Sequence, residues 1–220
     1  MLERDAVLTP ELILIRHGVT AWNKDRRFQG GIDIPLDEEG ERQARLLGDF
    51  FKSQPAPDLL IASDLGRAIA TAKPIAEHFQ LDIQIEPLWR ERHYGDFEGK
   101  NHSELQAQYP VDFERWRLRA LHHAFPGGGE SIAVFHERVH TALNVVRARF
   151  SNDIRRILVL THGGVLGSVY RIALGLSPDD PIKVPIDNTA INRLFLDGEH
   201  GAERWAIRNW GELTHLNFPA

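Results

Sequence analysis

The sequence predicts an α/β fold built on a largely parallel sheet. Short apolar runs alternate with longer amphipathic segments along most of the 220 residues. Several of the apolar runs lead straight into polar, glycine-containing turns. No internal repeat, low-complexity tract or obvious linker breaks the alternation. Strands alternating with helices in this way imply a parallel sheet covered by its own connections.

The elements follow in order. A buried strand is expected over 11–15. A helix is expected over 36–51, where Ala44, Leu47 and Phe51 stand at helical spacing. A short strand over 58–62 precedes a helix over 65–79, which Pro74 is expected to bend. A third strand is expected at 82–85. The pattern weakens over 86–130, where only two short helices suggest themselves, near 103–108 and 112–121. Pro126-Gly127-Gly128-Gly129 then breaks the chain. A long helix is expected over 131–150, with the stripe Ile132, Phe135, Val139, Leu143, Val146 and Phe150. A strand over 156–160, a helix over 165–174 and closing strands at 190–196 and 204–208 complete the pattern. The reading is of one domain over 1–220, with 86–130 as a cap-like excursion above the sheet.

Composition narrows the function. With 42% hydrophobic and 26% charged residues, the chain has the make-up of an ordinary soluble globular protein. A formal net charge of −5 argues against a generic electrostatic nucleic-acid binder, which is usually basic. The absence of cysteine excludes disulfides, thiolate metal sites and cysteine nucleophiles. It also fits a cytoplasmic location. Residues 1–10 carry Glu3, Arg4 and Asp5 and no apolar core, so a secretory signal is not expected. The longest stretch without Asp, Glu, Lys or Arg runs over 157–170. It is shorter than the roughly 20 residues a spanning helix needs, and Gly163-Gly164 interrupts it. No membrane contact is expected. Should the chain associate with itself, a homodimer is the general expectation.

In open parallel sheets, ligands bind beyond the carboxyl ends of the strands. Three predicted strands end in residues capable of chemistry. The first runs into Arg16-His17-Gly18, the second into Ser63-Asp64-Leu65-Gly66-Arg67, and the fourth into Thr161-His162-Gly163-Gly164. Two arginines and two histidines therefore converge on one edge of the sheet. Arginine forks match phosphate oxygens two at a time. The glycines let backbone approach a ligand closely. Flanking positive charge disfavours a protonated imidazole, so it keeps a histidine neutral and nucleophilic. Such a pocket suits phosphoryl transfer, where catalysis is mostly positioning and charge neutralisation.

These motifs, with residues 88–99 between the second and the last, resemble the histidine phosphatase superfamily. That group holds the cofactor-dependent phosphoglycerate mutases and related phosphomonoesterases. The resemblance covers residues 11–216, with the motifs in the family's order. It implies a three-layer α/β/α fold of the phosphoglycerate mutase type, with a small helical excursion over the active site. It further implies that His17 takes the phosphoryl group, while Arg16, Arg67 and His162 cradle it. Glu91 is implied as the general acid, a role for which burial should raise its pKa. Asn23 matches a further phosphate contact, and Gly30 and Gly163 match backbone-side contacts. Gln29 is a weaker match; like Asn23, it also reads as a turn residue. The implied activity needs neither metal nor nucleotide cofactor. The implied partner is a small phosphomonoester.

His136-Glu137-Arg138-Val139-His140 fits the H-E-x-x-H zinc pattern. No third ligand follows, since Thr141-Ala142-Leu143-Asn144 supplies none, and the row reads better as a solvated helix edge. His122-His123 reads as a loop feature. Arg115, Arg117 and Arg119 read either as an exposed helix face or as the entrance for a second anionic group of the substrate.

Hydrolase and mutase readings share the phosphohistidine step. Only 39 positions separate Glu91 from Glu130, and this compact excursion resembles the phosphatase branch. Residues 210–216 also resemble its tail. Glu91-Arg92-His93-Tyr94-Gly95, by contrast, resembles the version in 2,3-bisphosphoglycerate-dependent mutases. A non-catalytic phospholigand-binding member is a third reading. The joint presence of Arg16, His17, Arg67, Glu91 and His162 argues against it.

Overall fold

Strand β1 (Glu11–Arg16) shows why the sheet is covered on both faces. Side chains alternate across a strand, and both alternating sets are apolar here. Leu12 and Leu14 enter one core, Ile13 and Ile15 the other. The structure, a computed structural model, describes residues 9–198 and 203–217.

The other strands are β2 (Leu59–Ala62), β3 (Ile83–Ile85), β4 (Arg156–Thr161), β5 (Ile191–Asp197) and β6 (Arg204–Glu212). Among the described residues they form one sheet in the order β3-β2-β4-β1-β5-β6. The first four are parallel; β5 and β6 run antiparallel at the edge. The expected mostly parallel α/β sheet is therefore present.

Helices α2 (Glu38–Phe51) and α3 (Gly66–Phe79) cover one face. Their Leu47, Phe50, Ala72 and Ile75 pack on Ile13 and Ile15. Helices α6 (Ile132–Arg147) and α7 (Gly163–Leu174) cover the other, with Phe135, Val139, Val165 and Val169 against Leu12 and Leu14. The two longest stripes, in α2 and α6, begin at side-chain N-caps. Asp37 accepts the Gly40 N–H, and Ser131 accepts that of Val134.

Helix α3 matches its expected span and includes Pro74, which packs against α2 so closely that a Cβ at Gly48 would lie 2.6 Å from the Pro74 Cβ. Several boundaries differ from expectation. The helix expected over 112–121 is α5 (Pro110–Arg117) and stops short. Arg119 adopts a left-handed φ of 57° and donates to the carbonyls of Pro178 and Asp179, a tertiary anchor that ends the helix. The short α1 (Ala21–Lys24) was not expected; four residues are too few to show a stripe.

The segment 86–130 contains α4 (His102–Gln108) and α5. It builds an apolar cluster of its own from Phe97, Leu105 and Phe125, packed with Phe28, Tyr94 and Trp116. No helix among the described residues is long and apolar enough to cross a membrane.

Candidate active site

The chain leaves β1 toward the face covered by α2, and leaves β4 toward the face covered by α7. The two strands are neighbours, so a crevice opens between their carboxyl ends. His17 follows β1 and His162 follows β4. The His17 N–H donates to the Thr161 carbonyl, which sets the two histidines at one level, ring centroids 5.1 Å apart.

His17 is 3% exposed and His162 fully buried. The His17 Nδ1 lies 2.7 Å from the Gly18 carbonyl. A carbonyl oxygen only accepts, so Nδ1 carries the proton and Nε2 keeps its lone pair. Burial, then Arg16, then Arg67 push the His17 pKa well below the ordinary value. The ring is neutral and its free nitrogen nucleophilic. The loop under it is pinned by the Gly18 N–H, which donates to Thr71 Oγ1, and by Asn188, which donates to the His17 carbonyl.

Both arginines are gripped by backbone carbonyls. Arg16 Nη1 donates to Ile186, and Arg67 donates through Nη1 to Ile32 and through Nη2 to Gly30. The Nε of each is buried without a partner among the described residues, as is His162 Nδ1. Unpaired buried donors are rare and costly, and here three of them surround one histidine. Ser63 explains the third. Its Oγ accepts the Leu65 N–H and lies 2.9 Å from His162 Nε2, so its own proton can go to Nε2. Nδ1 then carries the ring hydrogen and becomes a donor.

Glu91 sits partly buried opposite this group. Its Oε1 accepts the Arg92 N–H at 2.8 Å and its Oε2 the Gly164 N–H at 2.9 Å. A carboxylate offers about four lone-pair sites, so both oxygens can still exchange a proton. A Cβ at position 164 would lie 2.1 Å from Glu91 Oε1, which is why glycine stands there.

Arg16, His17, Asn23, Gln29, Arg67 and Glu91 all line one cavity of about 330 Å³. Asn23 caps a turn and also lines the cavity. Its Oδ1 accepts from Thr20 in the capping box of α1, which leaves its amide hydrogens for the cavity. Gln29 is buried, with Oε1 unpartnered. Gly30, at a φ of 52°, contributes the carbonyl that holds Arg67; a Cβ there would meet Glu98 Oε1 at 1.9 Å. Gly163 opens α7, where a Cβ would come 3.3 Å from Arg16 Nε.

Sequence reasoning assigned no part to Thr71, Ser63 or Asn188. Ser63 stands in the motif that follows β2, where nothing local marks it as a partner of His162. Asn188 lies in a segment with no periodic signal, and its contact spans 171 positions.

The H-E-x-x-H residues are engaged elsewhere. His136 Nδ1 bonds Ser168 Oγ, and His140 bonds Asn144. Arg138 between them pairs with both oxygens of Glu130 and donates to the carbonyls of Leu88, Arg90 and Glu91. It thereby clamps the loop that carries Glu91. Among the described residues no three His, Asp or Glu side chains gather as a metal site.

The buried neutral histidines have a stability consequence. Unfolded histidine protonates near pH 6.5. In the native state burial lowers the pKa of His17 and His162 well below that, and that of His215 to about 4. Below pH 6.5 the unfolded state therefore binds more protons, and stability falls as pH falls. Each such histidine contributes a slope of up to about 1.4 kcal/mol per pH unit. Urea midpoints between pH 7.5 and 5 should show this decline, with a shallower slope for His215→Gln.

Fold and cavity together define an α/β protein whose sheet crevice presents a neutral histidine among unpaired cationic donors. The chain belongs to the histidine phosphatase superfamily, branch 1, whose family model matches residues 12–212. It is 34% identical over 209 residues to Phosphoglycerate mutase-like protein 4 of Arabidopsis thaliana, covering 94% of this chain and 86% of that one. It is 36% identical over 217 residues to "Probable phosphoglycerate mutase GpmB" of Photorhabdus laumondii, covering 96% of each. Among solved structures, the alpha-ribazole phosphatase from Shigella flexneri superposes with a TM-score of 0.81 at 26% identity, over 92% of this chain and 96% of that one. The mycobacterial glucosyl-3-phosphoglycerate phosphatase, solved with VO3, superposes with a TM-score of 0.76 at 27% identity, over 93% and 100%. Members of this superfamily are enzymes, phosphatases or mutases.

Proposed function

We propose that this chain is a phosphomonoester hydrolase working through a phosphohistidine on His17. The observation that carries the reading is the His17 ring. Gly18 holds its Nδ1–H, Nε2 is free, and Arg16 and Arg67 flank it with unpaired Nε donors.

In the first step His17 Nε2 attacks phosphorus and the P–O bond to the alcohol breaks. Glu91 gives its proton to the departing oxygen. The ring becomes cationic on phosphorylation, and its Nδ1–H keeps donating to the Gly18 carbonyl. In the second step water attacks the phosphohistidine and the P–N bond breaks. Glu91 takes the water's proton, and His17 returns to its neutral form. Arg16 and Arg67 neutralise the charge on the equatorial oxygens, and His162 donates to them through Nδ1–H, the usual task of the protein in phosphoryl transfer. This scheme calls on no metal.

A mutase reading has its own support, in the relatives with mutase names and the Glu91-Arg92-His93-Tyr94-Gly95 segment. The compact 86–130 excursion and the phosphatases among the solved neighbours favour hydrolysis. Phosphorus NMR separates the two. The protein is incubated with 3-phosphoglycerate, a trace of 2,3-bisphosphoglycerate and a set of other phosphomonoesters. Rising inorganic phosphate is the expected result. 2-Phosphoglycerate formed without matching phosphate release would replace the hydrolase reading with the mutase.

Arg138 gives a further check, because it acts through Glu91 and touches no substrate. Arg138→Met should lower kcat for alkyl phosphates at least tenfold and for 4-nitrophenyl phosphate much less, with Arg138→Lys intermediate. A uniform loss across leaving groups would mean that Arg138 only supports the fold.

A further inference from the structure

The cavity at His17 adjoins a second one of about 360 Å³, with Tyr94 and Trp116 in the walls of both. Three arginines line the second cavity: Arg92 beside Glu91, Arg119 just past α5, and Arg171 in the last turn of α7. Neighbouring arginines have acidic partners; Arg115, Arg117 and Arg138 pair with Asp112, Glu114 and Glu130. Arg92, Arg119 and Arg171 are held by carbonyl oxygens instead. Glu130 holds the first, Pro178 and Asp179 the second, Gly167 and Asp180 the third. Among the described residues none of the three forms an ion pair. Among the described residues each also leaves one terminal nitrogen without a hydrogen bond: Nη1 of Arg92 and Arg119, Nη2 of Arg171.

Asp179 and Asp180 lie near enough to offset part of the charge on Arg119 and Arg171, but neither forms an ion pair with them. Asp180 accepts the Ser177 N–H and Asp179 the Ser177 hydroxyl. Burial first and then Arg119 bring the Arg171 pKa down to about 10, so it stays charged at neutral pH. The rest of the wall is largely apolar, with Ile132, Phe135, Ile182 and Ile186. Charge held in such surroundings with no carboxylate in direct contact is costly, and an incoming anion relieves that cost through charge-assisted hydrogen bonds.

We propose that this second cavity is a subsite for the far end of the substrate, and that it takes a second anionic group, carboxylate or phosphoryl, borne on a mainly apolar alcohol. The proposal rests on the hydrolase reading of the first cavity. Arg119, from the stretch singled out in the sequence, faces the subsite. Arg115 and Arg117 lie outside its wall and are paired on the surface. His136 of the H-E-x-x-H motif lines the same wall, hydrogen-bonded to Ser168.

Non-hydrolysable probes test the subsite without depending on turnover. Calorimetry at about 0.15 M ionic strength compares alkylphosphonates of increasing length with counterparts ending in a carboxylate or a second phosphonate. At the length that spans the two cavities, an anionic end should tighten Kd at least tenfold over the methyl end. The stronger of the two anionic ends identifies the group. Arg119→Gln and Arg171→Lys should each remove most of the gain; Arg117→Gln should keep it. Equal affinities for anionic and methyl ends at every length would overturn the proposal. So would a gain that survives both Arg119→Gln and Arg171→Lys. Phosphate release from 4-nitrophenyl phosphate, lost in His17→Ala, tests the catalytic reading separately. Its failure would sink that reading and leave the binding comparison intact.

Discussion

His17→Ala is expected to abolish phosphomonoester turnover, by at least about four orders of magnitude, while the protein stays folded. Without an imidazole at this position the covalent step has no acceptor. Water would have to attack directly in a site arranged around Nε2. The fold should survive for two reasons. The ring is neutral, so its removal strands no buried charge. The loop beneath it is also held independently, through Thr71 on the Gly18 N–H and Asn188 on the His17 carbonyl. Phosphate release and far-UV circular dichroism, measured on the same preparation, check both halves. Near-normal turnover in the variant would end the phosphohistidine mechanism.

Glu91→Gln should produce a loss that depends on the leaving group. Alkyl oxygens are strongly basic and need a proton as the P–O bond breaks; nitrophenolate does not. General acid catalysis contributes typically 10²–10⁴-fold, so alkyl phosphates should slow by about that factor and 4-nitrophenyl phosphate by less than tenfold. Glutamine is nearly isosteric. One of the two N–H groups that Glu91 now satisfies, from Arg92 and Gly164, would nonetheless face an amide NH2. A stability loss of roughly 1–3 kcal/mol should accompany the change, so the variant needs assay well below its melting temperature. Equal losses for the two substrate types would show that Glu91 is not the acid.

The sheet was legible because its signal is local. Strands β1, β2 and β4 are apolar on both faces, and each ends in a motif of unusual polarity. Helices α2 and α6 have long stripes and plain N-caps in Asp37 and Ser131. The 86–130 excursion was poorly legible for the opposite reason. Its α-helices have only 7 and 8 residues, and its aromatic residues pack on one another, with Phe28 joining from far away in the chain. No stripe of regular period can arise from such packing. The over-long expectation for α5 has the same root, since a tertiary bond from Arg119 stops it.

The sequence by itself determined the α/β class, the order of the strands along the chain, and the identities of the residues at their ends. Arg16, His17, Arg67, Glu91 and His162 were all named from it. Only the tertiary structure decided which atoms of those residues are free. The Gly18 carbonyl fixes the His17 tautomer, and Gly30, Ile32 and Ile186 set the arginine forks. It also separated three arginines without acidic partners from those paired on the surface. Side-chain identity is written in the chain, whereas hydrogen-bond partners separated by 35 to 171 positions exist only once the sheet has brought them together.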